Sequence, residues 1–146
     1  MTHFNLRPEL ARRIVWEAEA VRAKFPGCCK LRLDAAGMPS WEGTVPVEGR
    51  PFPVVVTYPP NYPAVPPTLE TTADVPHGCP HVLGRSNGRV CLCWIAPNDH
   101  RPRSRWDPRR HTAATVLRAA QRWGIALLVW ATLGTWPVPD ASDAMR

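Results

Sequence analysis

The sequence predicts an α+β domain: an N-terminal helix, a four-stranded antiparallel meander, an irregular segment that carries the chemistry, and a long C-terminal helix. Three observations predict it. Apolar residues recur at a helical period near both ends of the chain, over about 8–25 and about 112–133. Between them lie four short, β-rich runs separated by tight turns. From about Val75 to Arg110 no period is sustained. Consecutive strands flanked by helices, rather than strands alternating with helices, are the mark of an α+β chain.

In the first helix Leu10, Ile14, Ala18, Val21 and Phe25 fall on one face. Pro8 suits a first turn, where its missing N–H costs nothing, and Pro26-Gly27 ends the helix. Arg12, Arg13, Arg22 and Lys24 lie off the apolar stripe. The first strand, Cys29–Leu33, alternates and stops at Asp34-Ala-Ala-Gly37. Trp41–Val47 stops at Glu48-Gly49, Pro53–Tyr58 runs into prolines, and Thr68–Thr72 is a weaker fourth run. The aperiodic segment that follows holds Cys91 and is rich in proline; long irregular segments inside compact domains are usually functional. The second helix is expected from Thr112, a suitable N-cap, to Leu133, with Gly134 as its stop. Val116, Ala120, Trp123, Leu127 and Trp130 form its stripe, and Ile125, Leu128 and Val129 widen it, which predicts a buried central helix. Trp136 is expected to pack the tail. There is no internal repeat, so residues 1–146 read as a single domain with a core over about 8–136.

The 146-residue chain is long enough for one real core, and 45% hydrophobic with 21% charged residues is an ordinary globular balance. The start of the chain lacks the apolar run of a signal peptide, and Trp123–Leu133 is too short for a bilayer, which takes ~20 residues. The expectation is a soluble, cytoplasmic protein with no membrane partner. Five cysteines, at positions 28, 29, 79, 91 and 93, fit free thiols in a reducing compartment better than a disulfide framework. The net charge of +6 is carried mostly by arginine. It points to an acidic protein partner; the basic residues do not interleave with aromatics as in a single-strand nucleic-acid binder.

Four motifs occur in a telling order: Tyr62-Pro63 followed by Pro66-Pro67, then His81, then Asn87-Gly88-Arg89-Val90-Cys91-Leu92, then Trp106-Asp107-Pro108. Together they resemble the core of a ubiquitin-conjugating enzyme, over roughly residues 8–136. The resemblance implies that family's fold. It implies that Cys91 holds the C-terminus of a protein as a thioester and passes it to an amine. It implies that His81 scaffolds the active loop, that prolines in the tyrosine-proline turn set the path out of the meander, and that the first helix, with Arg7, Arg12, Arg13 and Arg22, docks an activating enzyme. The departures matter as well. Leu83 stands where the family has the asparagine credited with stabilising the oxyanion, and Pro80 precedes the histidine rather than following it. The stretch from Cys91 to Trp106 is longer than usual and holds Asn98, Asp99, His100 and Arg101, Arg103 and Arg105. Thr132–Pro137 resembles bacterial stand-alone members found in anti-phage, CBASS-like operons beside a cyclic-oligonucleotide synthase. That implies a ubiquitin-like protein or the neighbouring nucleotidyltransferase as the source of the carried C-terminus.

Each candidate has a plainer reading. Cys91 is the expected nucleophile, with Arg89 and the arginines after it as the cationic setting a thiolate needs; the alternative is a structural buried cysteine. Cys93 shares a face with Cys91 if the segment is extended, as a spare thiol or as core filler. His81 reads as a scaffold more readily than as a general base, and His77 is a weaker copy of it. Asn87, Asn98, Asp99 and His100 are the candidates to replace the missing asparagine, Asp99 or His100 also as proton acceptor from the attacking amine. Against this, Asn87-Gly88 is ordinary turn chemistry, and Asp99 and His100 sit comfortably on a solvated loop. His77, Cys79, His81, Cys91 and Cys93 have the chemistry of zinc ligands but not a usual zinc spacing, so no metal or cofactor is expected. Trp16, Trp41, Trp123 and Trp130 read as core. The alternatives to an acyl-carrying transferase are an inactive binding module of the same fold, which Leu83 favours, and a zinc or redox protein.

Overall fold

The computed structural model describes residues 7–94 and 106–137. Helix α1 runs Pro8–Lys24 and is followed by strands β1 (Cys29–Leu33), β2 (Pro39–Val47), β3 (Arg50–Thr57), β4 (Thr68–Thr71), β5 (Val82–Ser86) and β6 (Arg89–Leu92), and then by helix α2 (Ala113–Leu133). The α+β order matches the expectation. The strands form one antiparallel sheet in the order β1-β2-β3-β4-β6-β5.

The meander is therefore longer than the four strands expected. Two further strands lie inside the segment read as irregular, joined by Asn87-Gly88. Both turn residues have positive φ, 54° and 76°, with Ser86 paired to Arg89 across them. This is the two-residue hairpin turn whose twist matches the sheet, and Asn-Gly is its strongest sequence signal. The strands were hard to see because β5 is exposed along most of its length and so shows no apolar alternation.

One sheet face is core. Trp41, Val56, Leu69 and Leu92 occupy one cross-strand row of it, all buried; α2 lies over β2 and β3, and α1 packs on α2. Gly43 permits a close approach at the sheet's start: a Cβ there would stand 2.0 Å from the Cys28 carbonyl oxygen. Gly124 does the same on α2, where a Cβ would meet Val47 at 2.8 Å. Thr112 caps α2 as expected, accepting from Ala114 N while its own N–H donates to Thr115 Oγ1, and Gly134 closes the helix in the left-handed region at φ 75°. The expectation that α2 is buried throughout is corrected. Its buried residues end at Ala126, and Ile125, Leu128 and Leu133 are exposed, so full burial covers about the first two-thirds of the helix, with Leu127 and Trp130 partly packed beyond. Trp16 is likewise half-exposed rather than core. Trp136 packs as expected, against the rings of His81 and Trp123.

A buried carboxylate joins these layers. Glu17 is fully buried on the apolar stripe of α1. It accepts from the hydroxyls of Tyr58 and Tyr62, from Arg13 Nε at 2.7 Å, and from Ala113 N at 2.7 Å, the first residue of α2. Trp41 Nε1 extends the chain by donating to the Tyr58 hydroxyl at 2.9 Å. A buried charge persists when it is paired and hydrogen-bonded, and a carboxylate at a helix N-terminus also meets the positive end of the helix dipole. Sequence reading passed over Glu17. Its signal was an acidic residue on an otherwise apolar stripe, between Ile14 and Val21.

Candidate active site

Cys91 lies on β6, and the alternation of that strand decides which way it faces. Val90 and Leu92 are buried in the core, so Cys91 points to the opposite, outer face of the sheet, half-exposed. Cys93 also lines the outer cleft, as expected for an extended segment. The register sets the neighbours of the thiol. Glu70 on β4 is directly opposite Cys91 on one side and Gly84 on β5 on the other.

Next to the thiol is a cleft of about 250 Å³ lined by Val65, Pro66, Pro67, Leu83, Cys91, Cys93 and Trp94, with Thr68, Leu69 and Leu92. The proline turn builds one wall. Tyr62–Pro63 is a cis bond, and Tyr62 is fully buried. Trp94 Nε1 donates to the Pro67 carbonyl at 3.1 Å and Trp106 Nε1 to the Pro63 carbonyl at 2.8 Å, with the two indoles edge to face at 6.2 Å. The other wall is made by an irregularity in β5: Val82 pairs with Leu92 and Gly84 with Cys91, so Leu83 is an extra residue bulged from the ladder. A bulge re-aims a side chain. Leu83, at the position where the resemblance expects asparagine, is 67% exposed and overhangs the cleft.

The electrostatics differ from the expectation. Arg89 does not make the thiol more acidic. Its guanidinium is shared between Glu42 and Glu70, each at 3.7 Å, and Glu42 also meets Arg32 at 3.4 Å. Burial, and after it the Glu70 carboxylate, push the Cys91 thiol up from its ordinary value. Burial and then Cys91 do the same for Cys93. At neutral pH Cys91 is a protonated thiol.

The other candidate residues are placed as follows. His81 is at the mouth of β5 in the left-handed region, φ 59°. Its carbonyl oxygen accepts from Cys93 N at 3.0 Å and from Trp123 Nε1 at 3.3 Å, and its ring stacks near Trp136 at 5.2 Å. It ties β5, the segment after Cys91 and α2 together through its backbone. Asn87 is in the hairpin turn, beyond the Ser86–Arg89 pair and roughly three strand residues, or ~10 Å, along the ladder from Cys91, and is not brought to the thiol. Asp99 and His100 lie outside the described residues, as does Asn98. Cys79 is buried, with its thiol near the Pro80 carbonyl at 3.5 Å. Among the described residues no group of three or more histidine, cysteine or acidic side chains comes together as a metal site. No helix among them is long and apolar enough to cross a membrane.

A helix, an antiparallel sheet and a second helix, with a thiol at a proline-walled cleft, define a ubiquitin-conjugating-like protein. The comparisons give the branch. The family model for the type II CBASS E2 protein matches residues 17–143, and the chain belongs to that family. It is also 37% identical over 76 residues to ubiquitin-conjugating enzyme E2 7 of Arabidopsis thaliana, a match covering 48% of this chain and 43% of that protein. The chain thus spans less than half of that relative's length. No solved structure matches.

Proposed function

We propose that Cys91 is the acyl carrier of a conjugation reaction in anti-phage defence. The Cys91 thiol takes the C-terminal carbonyl of a protein as a thioester, and an amine then displaces it to form an amide. The observation that carries this reading is the half-exposed thiol at the floor of an apolar cleft, within the asparagine-glycine-x-x-cysteine-leucine context of a type II CBASS E2 chain. A cleft lined almost wholly by apolar side chains suits an extended peptide tail and excludes water, which would hydrolyse the ester. The raised thiol suits the role too: a thiol that is protonated at rest is not consumed by oxidants before it is charged. The carried chain is a ubiquitin-like protein or the neighbouring nucleotidyltransferase. An activating enzyme docks on α1, whose outer face presents Val15 and Trp16, 68% and 50% exposed, beside Arg12.

A second reading is an inactive module that binds the same partner; Leu83 and the raised thiol favour it. One experiment separates them. The protein is expressed with its neighbouring genes in its host, as wild type and as Cys91→Ser, and is inspected by non-reducing gel and intact mass. A thiol-labile adduct on the wild type and a thiol-resistant ester on the serine form establish the carrier, and the added mass identifies the cargo. No adduct on either form, with the neighbours expressed, supports the binding module.

A further inference from the structure

Glu70 lies directly across the sheet from Cys91, on the same outer face. Leu69 and Thr71, on either side of it, are buried toward the core, so the alternation of β4 leaves the Glu70 carboxylate on the thiol side. Opposed residues of an antiparallel pair keep their Cβ atoms about 4.5–5.5 Å apart, which puts the carboxylate within reach of an atom bonded to Cys91 Sγ. The surroundings of the thiol are divided. Toward Cys93 and Leu83 they are apolar; toward Arg89 and Glu70 they are charged. An acyl chain belongs on the first side, which leaves the second for whatever attacks it.

We infer that Glu70 is the group that receives the acceptor amine: it attracts the incoming ammonium and takes its proton. This rests on Cys91 being the acyl carrier. The ammonium gives one proton to the carboxylate, and the freed nitrogen lone pair attacks the thioester carbonyl carbon. The C–N bond forms, the C–S bond breaks, and the electron pair leaves with Sγ. Glu70 returns its proton to the Cys91 thiolate, and the second ammonium proton goes to solvent. A leaving thiolate of raised basicity needs such a proton more than an ordinary one does. The groups facing Glu70 are Arg89 and Cys91 from β6, with Glu42 of β2 bridged through Arg89 and Arg32 of β1 paired in turn to Glu42. Arg89 keeps a second carboxylate partner in Glu42, so Glu70 can be neutralised without stranding a cation.

The test uses wild type and Glu70→Gln, each loaded with a small probe, the thioester of N-acetylglycine with 2-mercaptoethanesulfonate, and Cys91→Ser as the control that has no thiol at this position to load. Peptide mass spectrometry follows the acyl group at Cys91. Discharge at pH 7.5 is timed with free lysine, whose amine is protonated below ~10.4, and with hydroxylamine, which is neutral there and needs no base. The expected result is that Glu70→Gln loads as the wild type does, discharges to lysine about 10²-fold more slowly, and is slowed far less with hydroxylamine, which needs only the proton returned to the thiolate. The pH midpoint for iodoacetamide alkylation of Cys91 also falls in Glu70→Gln. Equal slowing with both nucleophiles, or no slowing with lysine, overturns the inference while leaving the carrier reading intact. An alkylation midpoint that does not move shows that the carboxylate does not face the thiol and overturns it as well. No acyl group at Cys91 of the wild type removes the carrier reading, and the inference with it.

Discussion

At the scale of single residues, the environment of Cys91 is set by strand alternation more than by nearby arginines. The same alternation that buries Val90 and Leu92 turns the thiol outward beside a carboxylate. The pH dependence follows. Alkylation of Cys91 in the folded protein should still be rising at pH values where an ordinary thiol, ionising near ~8.5, is largely titrated; a plateau by about pH 9.5 contradicts it. Cys29 is a sharper case, because burial and then Cys28 push its thiol up to about 11. It should be the slower of that pair to alkylate at pH 9, as counted by peptide mass spectrometry. Cys91 was legible in the sequence from its motif, and so was the turn role of Asn87. The acidity of the thiol was not, because Arg89 looked available until cross-strand register paired it with Glu42 and Glu70. Register is a relation between distant segments, and no local pattern displays it.

At the scale of elements, the clearest lesson comes from α1. Its apolar stripe was readable from Leu10, Ile14, Ala18 and Val21, but the residue that decides how α1 docks is Glu17. Replacing it by alanine leaves Arg13, two tyrosine hydroxyls and the first N–H of α2 without their common acceptor. Breaking such a buried pair costs about 3–5 kcal/mol, read as a lower urea midpoint with an unchanged slope. A cost under about 1 kcal/mol means that the carboxylate is not the hub. The cap of α2 was legible from Thr112 alone. Thr112→Ala removes the side-chain half of the capping box, leaving the backbone N–H to Thr115, and should cost about 1 kcal/mol. The β5–β6 hairpin was missed although Asn87-Gly88 announces it, because an exposed strand lacks the apolar period on which a strand is ordinarily recognised.

At the scale of the whole molecule, the resolved titration shifts of its thiols and phenols share one sign. Burial raises Cys29, Cys79, Cys91 and Cys93, and it raises Tyr58 and Tyr62 as well. For an acid whose folded form holds its proton longer, the stability contribution is complete below the unfolded value and is lost as pH rises through the folded one. Thermal stability should therefore fall from about pH 8.5, where unfolded thiols begin to ionise, through about 11, where Cys29 titrates folded. A melting temperature that is flat across that window contradicts the burial of these groups. The general architecture was legible in the sequence because two helical stripes bracket consecutive strands. The exposure at the end of α2, past Ala126, was not, because an apolar stripe records what a helix is able to cover and not how far the core beneath it extends.

Trp94 and Trp106 hang from carbonyls of the same short proline platform, those of Pro67 and Pro63, and touch edge to face. Trp94 and Trp106 therefore stand at one place, like the two pins of a socket. Separation of those pins is fixed by the platform and not by whatever is plugged across them. Lengthening the insert by half adds only about (3/2)RT ln 1.5, or ~0.4 kcal/mol, of closure entropy. A protein that must keep its chemistry while its partners change can then vary the length of this stretch and leave the rest of the fold as it is.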